Sequence, residues 1–266
     1  MKIVVFDLDE TLGYFSELGI FWDSLLNYFK YKNNEELTQD DFNNILDIFP
    51  EFVRPNIINI LNYLKTKKQS TCCHKMMIYT NNNGPREWSH KIISYFESKI
   101  NFKLVDQIIS AFKINGELVE VCRTTHSKTH EDFIRCTKIA KNAQICFLDD
   151  TFYPEMANDN IYYIHVKPYY HDLKFDEMIT RIQNSDMYNN RIDKADFSEY
   201  MMNYIKKYNY NPVEKKPEEY EIDKIVGKEI INHLQEFFQK TKKNKSRKHK
   251  SHKHHNVFKK NKTCKR

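Results

Sequence analysis

No stretch of this chain approaches the ~18 consecutive apolar residues that cross a bilayer. Nothing ahead of the apolar run that begins at Ile3 resembles a basic and apolar leader. Both absences point to a soluble, unsecreted protein of the cytoplasm or nucleus. No internal repeat is evident, which argues against a solenoid or propeller. The six cysteines, Cys72, Cys73, Cys122, Cys136, Cys146 and Cys264, lack paired metal-ligand spacing. Cys146 lies in an apolar run where a thiol packs as a small hydrophobe, so free thiols in a reducing compartment are expected. Acid is missing from one region: residues 240–266 hold 13 Lys or Arg and no Asp or Glu. The formal charge of +6 therefore splits into about −7 on residues 1–239 and +13 on the remainder. His249, His252, His254 and His255 stand among lysines that repel a cation. Residues 240–266 are thus expected to form a disordered basic tail that contacts nucleic acid, an acidic protein or a nuclear import receptor, or that serves as a solubilising tail without a specific partner.

Apolar content of 40% with 14% aromatic is ample for a globular core. Strand-like runs occur at 2–6, 75–80, 104–109, 144–148 and 161–166, separated by apolar residues at helical spacing. That alternation predicts an α/β fold with a parallel sheet covered by helices. Ile57, Ile60, Leu61 and Leu64 share one face of a helix with Pro55 in its first turn. Trp88, Ile92, Ile93 and Phe96 mark a second helix after Pro85, and a third runs from about Thr129 through Ile139. Residues 14–50 are extra to this scheme: a small cap-like insertion with many aromatics and a short capped helix in "LTQDDFNNILDIF", too short for a large lid. Beyond Lys167 the pattern becomes helical, with a linker around 209–219 and an amphipathic helix from Ile222 to Phe237. The expected organisation is an α/β domain over 1–183, a helical extension over 184–239, and the tail.

The segment "IVVFDLDETLG" places Asp7, Asp9 and Glu10 directly after a buried strand. Carboxylates crowded there are tolerable when one keeps a proton or a hard cation lies between them, and Mg²⁺ prefers such oxygen ligands. Helix capping or simple solvation is the alternative reading of the same acids. In an open parallel sheet, ligands gather at the carboxyl ends of strands. There the later strands deliver Thr80, Asn81 and Asn82, then Asp149 and Asp150, while Lys128 precedes the helix that feeds the fourth strand.

This order of Asp-Leu-Asp-Glu-Thr, strand-end Thr, helix-start Lys and Asp-Asp resembles the haloacid dehalogenase superfamily over about residues 1–170. "FDLDETL", "VRPNIINILNYL" and "IYTNN" are most similar to its phosphatases that act on the C-terminal domain of RNA polymerase, the NLI-interacting-factor-like branch. The resemblance implies a Rossmannoid sheet with helices on both faces and a Mg²⁺-dependent hydrolase acting on a phosphorylated protein or other large phosphoester. It implies Asp7 as nucleophile, forming an aspartyl phosphate, and Asp9 as the acid and base. Thr80, Asn81 and Lys128 would bind phosphate, and Thr11 would position the loop. Asp7, the Asp9 carbonyl, Asp149 and Asp150, the last directly or through water, would hold Mg²⁺. A polynucleotide-end phosphatase, favoured by the tail, and a non-catalytic adaptor are the competing expectations.

Overall fold

The computed structural model describes residues 1–171, 173–188 and 190–240, and the backbone of 255–256. Strand β1 (Lys2–Phe6) is apolar after its first residue because both of its faces are buried. It pairs in parallel with β2 (Lys75–Tyr79) on one side and β6 (Gln144–Asp149) on the other. Strands β3 (Gln107–Ile109) and β7 (Ile161–His165) extend the sheet outward, giving the parallel order β3-β2-β1-β6-β7. A short antiparallel hairpin, β4 (Lys113–Ile114) with β5 (Glu117–Leu118), follows β3 and was not legible in the sequence. The two-residue strand β8 (His255–Asn256) runs parallel to β7. The rest of the expected basic tail, beyond Lys240, lies outside the described residues.

Helices cover both faces, so the arrangement is Rossmann-like. On one face, Val4, Phe6, Met76, Ile78, Cys146, Leu148 and Ile164 meet α1 (Ser16–Tyr28), α2 (Gln39–Ile48), α3 (Ile57–Gln69) and α4 (Arg86–Ile100). Helices α6 (Phe175–Gln183), α7 (Lys194–Ile205) and α8 (Pro217–Gln239) join that same cluster. On the other face, Ile3, Val5, Met77 and Phe147 pack with Phe133 of α5 (His130–Thr137). The five expected strands are thus present, with the third shortened because Asp106 turns its carboxylate to the Met76 N–H at 2.8 Å.

Several boundaries differ from expectation for local reasons. Pro55 lies ahead of α3, whose preceding residue Asn56 is left-handed at φ 71°. Helix α5 stops at the left-handed Lys138, leaving Ile139 in the core but outside the helix. The insertion is built as expected around a capping box: Thr38 accepts from Asp41 N at 3.2 Å, and the Asp41 carboxylate accepts from Thr38 N at 2.8 Å. It also contains α1, whose aromatics pack edge-to-face: Trp22 on Phe42, and Tyr28 on Phe197 of α7. Insertion and C-terminal helices therefore share one core. The expected linker at 209–219 is shorter, since α8 begins at Pro217 and the nearly buried Lys215 side chain pairs with buried Asp223. Gly227 lets α8 approach α3 closely: a Cβ there would stand 2.4 Å from the Pro55 carbonyl oxygen, while Asn56 Nδ2 donates to Gly227 O at 3.0 Å. Among the described residues no helix is long and apolar enough to cross a membrane.

Candidate active site

Strand order reverses between β1 and β6, and the carboxyl ends of these neighbours carry Asp7 and Asp149. Asp7 N donates to Leu148 O at 2.8 Å, which fixes the two ends side by side. Between the carboxylates stands Lys128, whose Nζ lies 2.5 Å from Asp7 Oδ1 and 2.7 Å from Asp149 Oδ2. All three are buried. Burial alone lowers an ammonium pKa, but the charges of Asp7 and Asp149 outweigh it and raise that of Lys128. Burial raises both carboxyls against the opposing pull of Lys128. Lys128 owes its place to α5: Thr129 caps that helix by accepting from Asp132 N at 3.0 Å, so the preceding lysine turns inward.

The remaining acids are arranged by the turn after β1. Thr11 Oγ1 donates to Asp150 Oδ1 at 3.2 Å and accepts from Asp150 N at 3.1 Å, so its side chain holds Asp150. Carboxylate oxygens of Asp7, Asp149 and Asp150 lie within 4.8 Å of one another. These are hard oxygen donors at a spacing that suits Mg²⁺. The Asp9 carboxylate stands outside that group and accepts from Asn82 Nδ2 at 2.8 Å. Burial, then the charge of Asp7, raises the Asp9 carboxyl to about 7. Glu10 adopts φ 58°, a left-handed conformation that costs any residue but glycine about 1–2 kcal/mol. Burial and the charge of Asp150 push its carboxyl to about 7.

Thr80 accepts through Oγ1 from Asn82 N at 3.0 Å and so keeps its own O–H proton to donate. Asn81 lines the same cleft, but its amide donates to the Tyr153 hydroxyl at 3.0 Å, and its Oδ1 is buried without a hydrogen-bond partner.

Two buried arginines hold this geometry, and sequence reasoning missed both. Arg54 Nε donates to Thr11 O at 2.6 Å, and its Nη2 to Glu10 O at 2.5 Å and Lys167 O at 2.8 Å. Desolvation lowers its pKa to about 10. Arg123 Nη1 donates to Thr80 O at 3.1 Å and Ser110 O at 2.8 Å, while Nη2 reaches His126 O and Ser127 O. It thereby ties the β2 end to the loop carrying Lys128. That loop is also joined to α5 by a Cys122–Cys136 disulfide, a correction to the expectation of free thiols throughout. Cys72, Cys73 and Cys146 are free.

Above the acids opens a cleft of about 850 Å³. Asp7, Asp9, Thr80, Asn81, Lys128 and Asp150 line its floor, and α1 forms one wall through Gly19, Ile20, Asp23 and Leu26. The insertion, expected to be too short for a large lid, builds this wall of the cleft, joined by Tyr208 beyond α7, whose hydroxyl donates to Asp23. No family model matches the chain, and neither a curated protein nor a solved structure matches it, so the reading of this cleft rests on its own geometry.

Proposed function

We propose that the protein is a Mg²⁺-dependent phosphomonoester hydrolase of the haloacid dehalogenase type, with motifs similar to those of the polymerase-tail phosphatases. The observation that carries this reading is the Asp7–Lys128–Asp149 bridge, with Asp9 two residues from the nucleophile and turned by Asn82 at the cleft floor. Asp7 attacks phosphorus and holds the phosphoryl group as an aspartyl phosphate, which divides hydrolysis into two displacements. Asp9, with a carboxyl near 7, donates a proton to the leaving oxygen and later takes one from the attacking water. The Thr80 hydroxyl and Lys128 ammonium bind phosphoryl oxygens and offset the repulsion between anionic nucleophile and anionic substrate. Asp7, Asp149 and Asp150, with the Asp9 carbonyl, would hold Mg²⁺, which would neutralise charge on the transferring group. The 13 basic residues in 240–266 favour polynucleotide ends as a second reading of the substrate.

Hydrolysis of aryl phosphates with Mg²⁺ or with EDTA, alongside Asp7→Asn, tests the proposal. Turnover should require Mg²⁺ and fall by at least about a thousandfold in the variant, because an amide cannot attack phosphorus. Residual activity within about tenfold of the parent would remove Asp7 from the nucleophile role.

A further inference from the structure

One hydroxyl at the cleft floor takes no part in the steps assigned to Asp7, Asp9, Thr80 and Lys128. Tyr153 lines the cleft beside these residues and Asn81, and the chain leaving β6 fixes where it stands. Asp149 Oδ1 accepts from Thr151 N at 2.9 Å, and the Tyr163 hydroxyl of β7 donates to Thr151 O at 2.8 Å. The same Tyr163 oxygen accepts from Tyr153 N at 3.0 Å, so a strand residue pins the backbone on both sides of Phe152. The Tyr153 ring lies against the buried cation: Lys128 Nζ is 5.3 Å from its centroid, within the range at which a ring face attracts an ammonium.

The Tyr153 hydroxyl has a proton to give. Its oxygen accepts from Asn81 Nδ2 at 3.0 Å, and among the described residues no hydrogen bond takes up the phenolic proton. Burial raises the pKa of the phenol, so that proton stays in place at neutral pH. The charges of Lys128, Asp149 and Asp7 all bear on the same group, which sets it against the charge cluster. Thr80 shows the same arrangement, since it accepts from Asn82 N and keeps its own proton. Two successive asparagines thus turn two hydroxyls into donors, Asn82 through its main chain and Asn81 through its side chain.

A phosphoryl group presents three strong acceptor oxygens, and donors held in place beforehand stabilise the charge spread over them. Lys128 and Thr80 are two such donors. Building on the hydrolase reading, we propose that Tyr153 is a further phosphoryl-binding residue, whose hydroxyl, aimed by Asn81, donates to an oxygen of the phosphate. Asn81, expected from the sequence to touch the phosphate, acts one step back by holding the phenol.

Calorimetric titration of the full chain with Mg²⁺ alone, and with tungstate in the presence of Mg²⁺, tests this in the parent and in Tyr153→Phe. The substitution removes one oxygen and keeps the ring that packs on Lys128. Tungstate, a tetrahedral dianion that stands in for the phosphoryl group, should bind the variant at least about tenfold more weakly, as expected for a lost hydrogen bond to a charged acceptor. Affinity for Mg²⁺ alone should hold within about twofold, because the acids that ligate it keep their places. In turnover, kcat/KM for an aryl phosphate should fall by at least about tenfold. Tungstate binding unchanged within about twofold overturns the proposal. A parallel loss of Mg²⁺ and tungstate affinity also overturns it, since Tyr153 would then be a prop for the loop after β6, and so does a parent protein that binds no tungstate. Tungstate binding that depends on Tyr153, with no turnover of any phosphoester, would leave the anion seat standing and overturn the hydrolase reading instead.

Discussion

Replacing Lys128 by Met is the sharpest probe of the buried charge cluster. The side chain keeps its length and loses the ammonium that stands 2.5 Å from Asp7 and 2.7 Å from Asp149. Their side chains retain only 10% and 1% of their exposure, so water cannot replace the missing cation. Removing one partner of a buried ion pair costs about 3–5 kcal/mol, because the other charge stays behind uncompensated. The loss depends on pH, with a definite sign. Burial already raises both carboxyls, and without the opposing Lys128 they rise further, so the folded variant binds protons that the unfolded chain has released. Stability of the variant therefore falls as pH rises through those values. Urea melts in EDTA should show the full deficit at pH 8 and a progressively smaller one as the pH is lowered, since protons then neutralise the acids. Mg²⁺ at about 100 times its Kd should restore about 2.7 kcal/mol at pH 8. A deficit under about 1 kcal/mol at pH 8 in EDTA would refute the idea that Lys128 compensates these acids.

Arg54→Gln strips three backbone carbonyls of a charged donor and should destabilise the protein by about 3 kcal/mol. It should also lower kcat, with partial rescue by added guanidinium; normal kcat in a folded variant would show that Arg54 does not hold the Asp7–Thr11 turn. In metal-free parent protein, Asp9 keeps its proton to about 7 while an unfolded aspartate releases it near 3.8. Stability should therefore fall between pH 4 and 7 by up to about 4 kcal/mol from this group, and Mg²⁺ should flatten the profile; a metal-free melting temperature that rises over that interval would contradict it. Gly227→Ala forces α8 away from the Pro55 carbonyl and should cost about 1–3 kcal/mol, read as a drop in Tm, whereas an unchanged Tm would mean that α8 does not seat there.

The sheet could be read in the sequence because a parallel strand buried on both faces must be apolar at almost every position, as in Ile3 to Phe6 and Ile145 to Leu148. Asp7, Thr80, Lys128 and Asp149 were legible for a related reason: polar groups at fixed places relative to such runs land on one edge. Arg54 and Arg123 were not, since their partners are main-chain carbonyls, which every residue possesses and no letter advertises. The Cys122–Cys136 pair was hidden likewise, because 14 residues separate cysteines that meet only after α5 folds back. The α1 wall escaped notice because its aromatics read as core, which they largely are.

Lys2 Nζ donates to the carbonyls of Phe237, Phe238 and Lys240, at 2.6, 2.9 and 2.8 Å. In the order of synthesis this joins the first strand to a helix completed some 235 residues later. At ~5–20 residues per second the ribosome needs about 12–47 s to supply that helix. Until then α3 and β7 lack the cover that Val226, Ile230, Leu234 and Phe237 of α8 contribute to this core. Closure of this face therefore waits for α8, and a nascent protein halted before residue 217 presents an uncovered apolar strip to its neighbours and to chaperones.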